Sequence, residues 1–308
     1  PFGKQSLNRG GMWYTPCSGI WQTVWAEIVP GVYIKEIETE QNPDDPEKLE
    51  GPWRVTLTAS LSNGKRIKKE ISIEQPELWS PEHPYLYRTS IELGASGEDA
   101  PASSAPGAGG DRVETYFALR TITTGKINGV PRLLLNGKPY FFNGLLDQGY
   151  WPDGLWTPAS FECFGEEISK LKEAGFNMLR KHIKVEPQLF YYGCDRLGMA
   201  VFQDMVENGV YDFKHDTVLP TLGLQRLSDK RRPVDPETRE NFVECMLAAV
   251  RQLKAHPSIV CWTIFNEGWG QFSGTEMYAQ LQREDKTRPV DTASGWFRGP
   301  GLKTDVES

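Results

Sequence analysis

The stretch Val260-Cys261-Trp262-Thr263-Ile264-Phe265-Asn266-Glu267-Gly268-Trp269-Gly270 begins as an apolar run rich in β-branched and aromatic residues and ends in an amide beside a carboxylate. Such a run reads as a buried strand that delivers a polar pair at its C-terminal end. In a parallel α/β barrel that end is where catalytic groups sit. The alternative reading is an ordinary strand that stops at a turn, with Glu267 in solvent.

Other polar side chains close similar runs. Asp147 ends 141–147, and Arg180 and His182 end 177–182. Gln203 with Asp204 ends 200–205, and Asp291 with Ser294 ends 289–294. Trp151 follows Asp147 in a loop and offers a flat apolar face. Lys184, Asp204, Trp269 and Trp296 are weaker members of the same set. His256 precedes Pro257 in a helix-to-strand turn and reads as structural, and Lys230-Arg231-Arg232 reads as a solvated loop.

The elements that must position these groups alternate. The segment 160–174 has helical spacing of Phe164, Ile168, Leu171 and Ala174, and Gly175 closes it. Pro187 opens a helix ending at Gly198, Pro236 opens one running to about residue 255, and 274–284 reads as another. With strands between them, these helices imply parallel βαβ units, either a doubly wound sheet or a barrel. No GxGxxG or phosphate loop follows the first strand, which argues against a dinucleotide fold. Polar groups at several strand ends follow barrel logic, and about five of the eight strands a barrel requires are visible.

Ahead of this region the texture is β. Residues 31–125 carry about seven short alternating runs, with an Asn63-Gly64 hairpin turn, the pattern of an immunoglobulin-like β-sandwich. A Gly/Ala/Ser/Pro stretch over 94–111 reads as a flexible hairpin insertion. Residues 1–30 hold two further strand-like runs, 10–15 and 19–28. The second is apolar on both faces, as expected of a strand between two layers or at a domain contact.

Bulk composition sets limits. The 308 residues are 39% hydrophobic and 24% charged, with a net charge of −7. No long basic block is present, which argues against nucleic acid and anionic membrane as partners. No apolar run is long enough to span a bilayer, and the first residues lack an apolar signal core. The expectation is a soluble protein, with a cytoplasmic location favoured. The five cysteines are widely spaced without a CxxC or Cys/His cluster, so a structural zinc is not expected, and no residue is singled out as a metal ligand. Ten tryptophans provide core packing or stacking platforms for sugar rings.

Several segments together resemble glycoside hydrolase family 2, the family of β-galactosidases, β-glucuronidases and β-mannosidases. They are Ser18-Gly19-Ile20-Trp21-Gln22-Thr23-Val24-Trp25, Leu78-Trp79-Ser80-Pro81-Glu82-His83-Pro84-Tyr85-Leu86-Tyr87 and Asn136-Gly137-Lys138-Pro139. Lys172-Glu173-Ala174-Gly175-Phe176-Asn177-Met178-Leu179-Arg180 and His256-Pro257-Ser258-Ile259, leading to Asn266-Glu267, complete the set. The resemblance implies a multidomain chain of β plus α/β class. Residues 1–30 would end a sugar-binding jelly roll, 31–125 would be the immunoglobulin-like sandwich, and 126–308 would be the first part of a (β/α)8 TIM barrel.

It also implies a retaining β-glycosidase, with β-galactosidase as the default. Glu267 matches the general acid/base, and Asn266 matches the residue that holds the sugar 2-hydroxyl. The partner nucleophile of the family is a Glu on a later barrel strand, and no residue of this chain matches it; Asp305 and Glu307 have no strand framing them. The chain therefore reads as an internal fragment, inactive alone, of a longer enzyme. His182, Arg180, Asp147, Trp151 and Trp269 are the further substrate-binding candidates. Arg180 has a second role open to it, bracing the barrel or stabilising the nucleophile. No cofactor is expected. The implied partner is a β-linked oligosaccharide or glycoside, and a homo-oligomer is compatible with the sequence. The rival readings are a non-catalytic carbohydrate-binding module and, more remotely, an inverting hydrolase using Asp147 or Asp204 as base.

Overall fold

The computed structural model describes residues 3–11, 13–94, 110–224, 229, 234–295, 299 and 301–306. They fall into two compact units, Gln22–Arg120 and Pro1–Trp21 with Thr121–Ser308.

The Gln22–Arg120 unit is all β. Strands β1 (Ile34–Pro43), β2 (Trp53–Leu61) and β3 (Arg66–Ile73) form an antiparallel sheet in that order. The β2–β3 turn needs the left-handed backbone that glycine tolerates, and Gly64 sits there at φ +85°. β4 (Tyr87–Leu93) and β5 (Asp111–Phe117) pair antiparallel, with Leu93 opposite Asp111. The alternation along β2 turns Trp53, Val55 and Leu57 inward, where they meet Phe117 and Leu119. Trp53 and Trp79 are fully buried; truncating such side chains to Ala costs about 3–5 kcal/mol.

Two expectations are corrected here. The described residues of this unit hold five strands, against the expected seven or so over 31–125, and Ile122–Ile127 belongs to a sheet of the other unit. The 19–28 run forms no strand: Ile20, Val24, Trp25 and Ile28 are exposed. A strand needs a neighbouring ladder, and none of the described residues provides one for this run. The 10–15 run likewise contributes only an isolated bridge, Gln5 to Tyr14. The Gly/Ala/Ser/Pro insertion lies mostly outside the described residues.

In the other unit, β6 (Ile122–Ile127), β7 (Val130–Leu135) and β8 (Lys138–Pro139) make a small antiparallel sheet. Its two turns are Asn128-Gly129 and Asn136-Gly137, all four residues at positive φ. Next come β9 (Gly144–Asp147), α1 (Glu162–Glu173), β10 (Met178–Lys181), α2 (Gln188–Leu197) and β11 (Ala200–Asp204). A π-helical turn, Lys214–Val218, runs into the short α3 (Leu219–Thr221), which the sequence reading did not anticipate. α4 (Pro236–Leu253), β12 (Ile259–Asn266), α5 (Gly274–Glu284) and β13 (Val290–Ser294) complete the series.

Local chemistry sets the helix ends. Asp235 caps α4 by accepting from Thr238 N at 2.9 Å, with Pro236 at the first turn. Gly198 ends α2 in the left-handed region. Strands β9 to β13 are all parallel, and each lies beside its sequence neighbours. That winding is part of a (β/α)8 barrel rather than a doubly wound sheet, whose strand order reverses. Every residue of β12 and β13 is buried. The core packs Leu179, Val201, Trp262 and Val290 of the strands against Ile168, Phe190, Phe242 and Leu281 of the helices. The outer side of β13 is covered by the following segment, with Asp305 N donating to Val290 O at 2.8 Å. The outer side of β9 meets no strand among the described residues, and Leu146 there is 52% exposed.

Candidate active site

Five parallel strands place their last residues on one face, where parallel barrels carry their chemistry. Arg180 on β10 is the hub. Its Nε donates to Asp204 Oδ1 at 3.0 Å, and its Nη2 donates to Asn266 Oδ1 at 3.0 Å and Ser294 Oγ at 2.9 Å. One guanidinium therefore ties the ends of β10, β11, β12 and β13. Burial works against its charge, but Asp204 beside it holds the Arg180 pKa above the ordinary arginine value. The other oxygen of Asp204, Oδ2, lies 2.9 Å from His182 Nδ1. Asp204 is 1% exposed, so this carboxylate is fully committed to two cationic or donor partners.

Glu267 follows directly. It sits at φ +49°, and Gly268 and Gly270 after it are also at positive φ. For a residue with a Cβ, that conformation costs roughly 1–2 kcal/mol. Glu267 N donates to Ser294 Oγ at 3.3 Å, which helps hold the turn. Its side chain is half-buried. The strand thus stops abruptly and leaves the carboxylate at the strand-end face beside Asn266.

The remaining sequence candidates lie elsewhere in the network. Asp147 pairs with Lys181 at 2.6 Å and accepts from Gly149 N at 2.8 Å. Lys181 also contacts Glu186 at 2.9 Å, as does Lys184. Lys184 donates to Gly149 O and, at 2.7 Å, to Trp156 O. Burial lowers the Lys184 pKa, and Glu186 offsets part of that. Gly149 is required at φ +68°, since a Cβ there would come within 2.3 Å of Glu186 Oε1. The structure therefore turns Asp147 and Lys184 into a buried charge cluster. Trp151 packs edge-on against Phe164 of α1, with ring centroids 5.8 Å apart. Trp269 is 7% exposed, between Tyr211 at 4.8 Å and Trp13 at 6.0 Å. Trp296 and the Lys230-Arg231-Arg232 run lie outside the described residues.

Two groups near Glu267 had no sequence signal. Glu207, in the loop after β11, is 8% exposed, and its Oε1 meets no hydrogen-bond partner among the described residues. Burial pushes its pKa up to about 8, opposed by Lys4 and reinforced by Asp216, Asp204 and Glu267. Lys4 comes from the N-terminal segment of the same unit and is 9% exposed. That segment is seated on the strand-end loops. A Cβ at Gly3 would lie 3.2 Å from Ile183 O, and Tyr14 stacks on Tyr150 at 3.7 Å. Burial lowers the Lys4 pKa, while Glu207 and Glu267 pull it back up.

Among the described residues, no His, Cys, Asp and Glu side chains group in a way that could hold a metal ion. The described cysteines are free thiols. No described helix is long and apolar enough to cross a membrane.

Residues 127–304 match the family model described as glycosyl hydrolases family 2, TIM barrel domain, and residues 35–104 match the model described as glycosyl hydrolases family 2. A β-galactosidase of Pectobacterium atrosepticum is 29% identical over 234 residues, 75% of this chain and 19% of the relative. β-Galactosidase 2 of Enterobacter cloacae is 28% identical, over 79% of this chain and 21% of the relative. The chain thus spans about a fifth of the length of these relatives. Among solved structures, the β-D-glucuronidase of Dictyoglomus thermophilum aligns at TM-score 0.65 and 19% identity, covering 85% of this chain and 44% of that one. β-Glucuronidase 3 of Bacteroides uniformis aligns at TM-score 0.63 and 18% identity, covering 85% and 33%. These structural likenesses concern the fold.

Proposed function

The chain belongs to glycosyl hydrolase family 2, and from that premise we propose that it carries the acid/base half of a retaining β-glycosidase. The observation that carries this is the strand-end pair: Asn266 held by Arg180 at 3.0 Å, and Glu267 turned out at φ +49° next to it.

In this reading Glu267 donates its proton to the glycosidic oxygen as the bond to the anomeric carbon breaks. It then takes a proton from the water that releases the sugar. Arg180 occupies Oδ1 of Asn266, which leaves the amide NH2 to donate to the sugar 2-oxygen. His182, oriented by Asp204, contacts a further hydroxyl. Trp269 backs the pocket rather than stacking on substrate.

The mechanism also needs an ionised carboxylate as nucleophile, roughly 5 Å from the acid/base. The described strand-end carboxylates are otherwise engaged. Asp147 is paired with Lys181, and Asp204 with Arg180 and His182. Glu207 keeps its proton to about pH 8. Asp305 accepts from Tyr278 OH and Val290 N. We place the nucleophile outside this chain, and residues 1–30 at the end of a jelly-roll domain. The substrate is a β-galactoside, in line with the names of the sequence relatives.

The test is a protein containing this chain, assayed on nitrophenyl β-galactoside and β-glucuronide. Glu267→Ala should abolish turnover of unactivated β-galactosides. With an activated leaving group, azide should restore turnover and yield the β-glycosyl azide. An α-azide product, or full activity in Glu267→Ala, would refute the assignment.

A further inference from the structure

We propose that Asn208 is a positioning residue for Glu267: its side chain clasps the far end of the turn that starts at Glu267, and through that turn it fixes where the carboxyl group is aimed. This rests on the reading of Glu267 as acid/base and adds the residue that holds it in place.

The turn is built from backbone that residues with a Cβ avoid. Glu267, Gly268 and Gly270 have φ of +49°, +69° and +62°. Trp269 N donates to Asn266 O at 2.8 Å, and Gln271 N donates to Gly268 O at 3.0 Å. Two overlapping turns therefore carry the chain from the end of β12 to the buried Gln271. Such a segment has no ladder of its own, so its shape depends on what meets it from outside. At its start, Glu267 N donates to Ser294 Oγ on β13 at 3.3 Å. At its end, Asn208 Nδ2 donates to Gly270 O at 2.7 Å.

Asn208 reaches Gly270 from the loop after β11, 62 residues away in sequence, and is 7% exposed. Its Oδ1 accepts from Val210 N at 2.9 Å, an Asx turn that orients the amide before it crosses to the other loop. The approach is close. A Cβ on Gly270 would lie 2.8 Å from both Cγ and Nδ2 of Asn208, so glycine is needed there for the clasp as well as for its φ. Tyr211, from the same loop as Asn208, packs on Trp269 with ring centroids 4.8 Å apart. The loop after β11 thus grips two consecutive residues of the Glu267 turn, one by its carbonyl and one by its ring. A general acid works only while it lies within hydrogen-bond reach of the leaving oxygen, and a misplacement of about 1 Å can cost about a hundredfold in rate. Asn208 acts through the Gly270 carbonyl and not on the substrate.

The experiment compares leaving groups in a protein containing this chain. A phenolate needs the acid's proton as it departs, whereas a dinitrophenolate leaves without one. Asn208→Ser keeps an oxygen for Val210 N but cannot reach Gly270 O. It should lower kcat/KM about tenfold on the phenyl β-glycoside, the loss expected for one hydrogen bond, and less than about twofold on the dinitrophenyl β-glycoside. Gly270→Ala, which forces the clasp open from the other side, should show the same split. Asn208→Asp, which has the same shape and loses only the donor, takes the place of the serine variant if that one does not fold. Equal losses on the two substrates in folded variants mean a general structural role and overturn the proposal, as does no loss on either. In Glu267→Ala the split should be larger, and its absence there refutes the acid/base reading instead. A second arm needs no catalysis. Hydrogen exchange of the peptide that holds the Trp269 and Gln271 amides should be about tenfold faster in Asn208→Ser, with peptides of α4 and α5 unchanged. An unchanged rate overturns the proposal whether or not any form hydrolyses a glycoside.

Discussion

Arg180 Nη2 donates to Asn266 Oδ1 at 3.0 Å, so the guanidinium decides which end of the Asn266 amide is presented at the strand ends. The oxygen is held and the NH2 is free to meet a ligand oxygen. Arg180→Lys keeps the charge but loses the planar fork that reaches Asp204, Asn266 and Ser294 together. Losing one charge-assisted bond of about 1.5–3 kcal/mol should lower kcat/KM by about tenfold to a hundredfold. The loss should be larger for the 2-hydroxy sugar than for its 2-deoxy analogue, measured by steady-state kinetics on the pair. Equal losses on both would remove Asn266 from the path of the effect.

The left-handed backbone at Glu267 makes a stability prediction. Glu267→Gly relieves the Cβ conflict and should leave stability unchanged or raise it by up to about 1 kcal/mol. Phe265→Gly, inside the buried strand, should cost more than about 3 kcal/mol. Urea midpoints of the two variants give the comparison. A strongly destabilised Glu267→Gly would mean that the turn depends on the carboxylate rather than tolerating it.

Glu207 gives the pH dependence. Its folded pKa is about 8, above its ordinary 4.5, chiefly through burial. Below 4.5 the group is protonated whether the chain is folded or not, and the folded state bears no penalty. As pH rises from 4.5 to about 8, the unfolded chain ionises and the folded one does not, so stability falls by about 1.4 kcal/mol per pH unit. Above about 8 the loss levels off. Glu207→Gln should flatten this slope, so its advantage over wild type should grow between pH 5 and pH 8 in denaturant titrations.

Asp285 carries the opposite sign. Although it is buried, the Arg288 guanidinium at 2.7 Å and the Trp262 Nε1 donor at 2.8 Å hold its carboxyl well below the usual range. Its contribution is full above the ordinary 3.8 and is lost as pH falls below that. Arg288 also donates to Ile259 O at 2.6 Å and to His256 O at 2.8 Å. Removing it strands a buried carboxylate, so Arg288→Ala should cost about 3–5 kcal/mol at neutral pH. Thermal denaturation would show it, and a cost under 1 kcal/mol would contradict the pairing.

Much of this arrangement is legible in the sequence. β12 could be read because its apolar run is buried along its whole length and stops at a polar pair. The helices could be read because Gly198 and Pro236 act within a turn of the ends they mark, whereas the Asp235 cap emerges only with the structure. The hub at Arg180 was visible only as a residue at a strand end. That its three bonds cross to β11, β12 and β13 depends on which strands become neighbours. Asp147 shows the limit of position as a guide. It ends a strand as Glu267 does, yet Lys181 takes up its charge in a buried cluster. Lys4 and Glu207 lay beyond local reading, since no periodicity links the N-terminal segment to a loop after β11. The 19–28 run misled because alternation describes what a strand would bury and not whether a ladder is there to receive it.

The sheet of parallel strands is not symmetric at its two sides. On one side Asp305 and Thr304 meet the ladder groups of β13, with Thr292 N donating to Thr304 Oγ1 at 3.0 Å. On the other, β9 presents its backbone and the exposed Leu145 and Leu146. An edge that no described strand covers, with apolar neighbours, is a template for another chain. A preparation holding only these residues should therefore self-associate through β9 in a concentration-dependent way, and a charged substitution at Leu146 should hold it in solution.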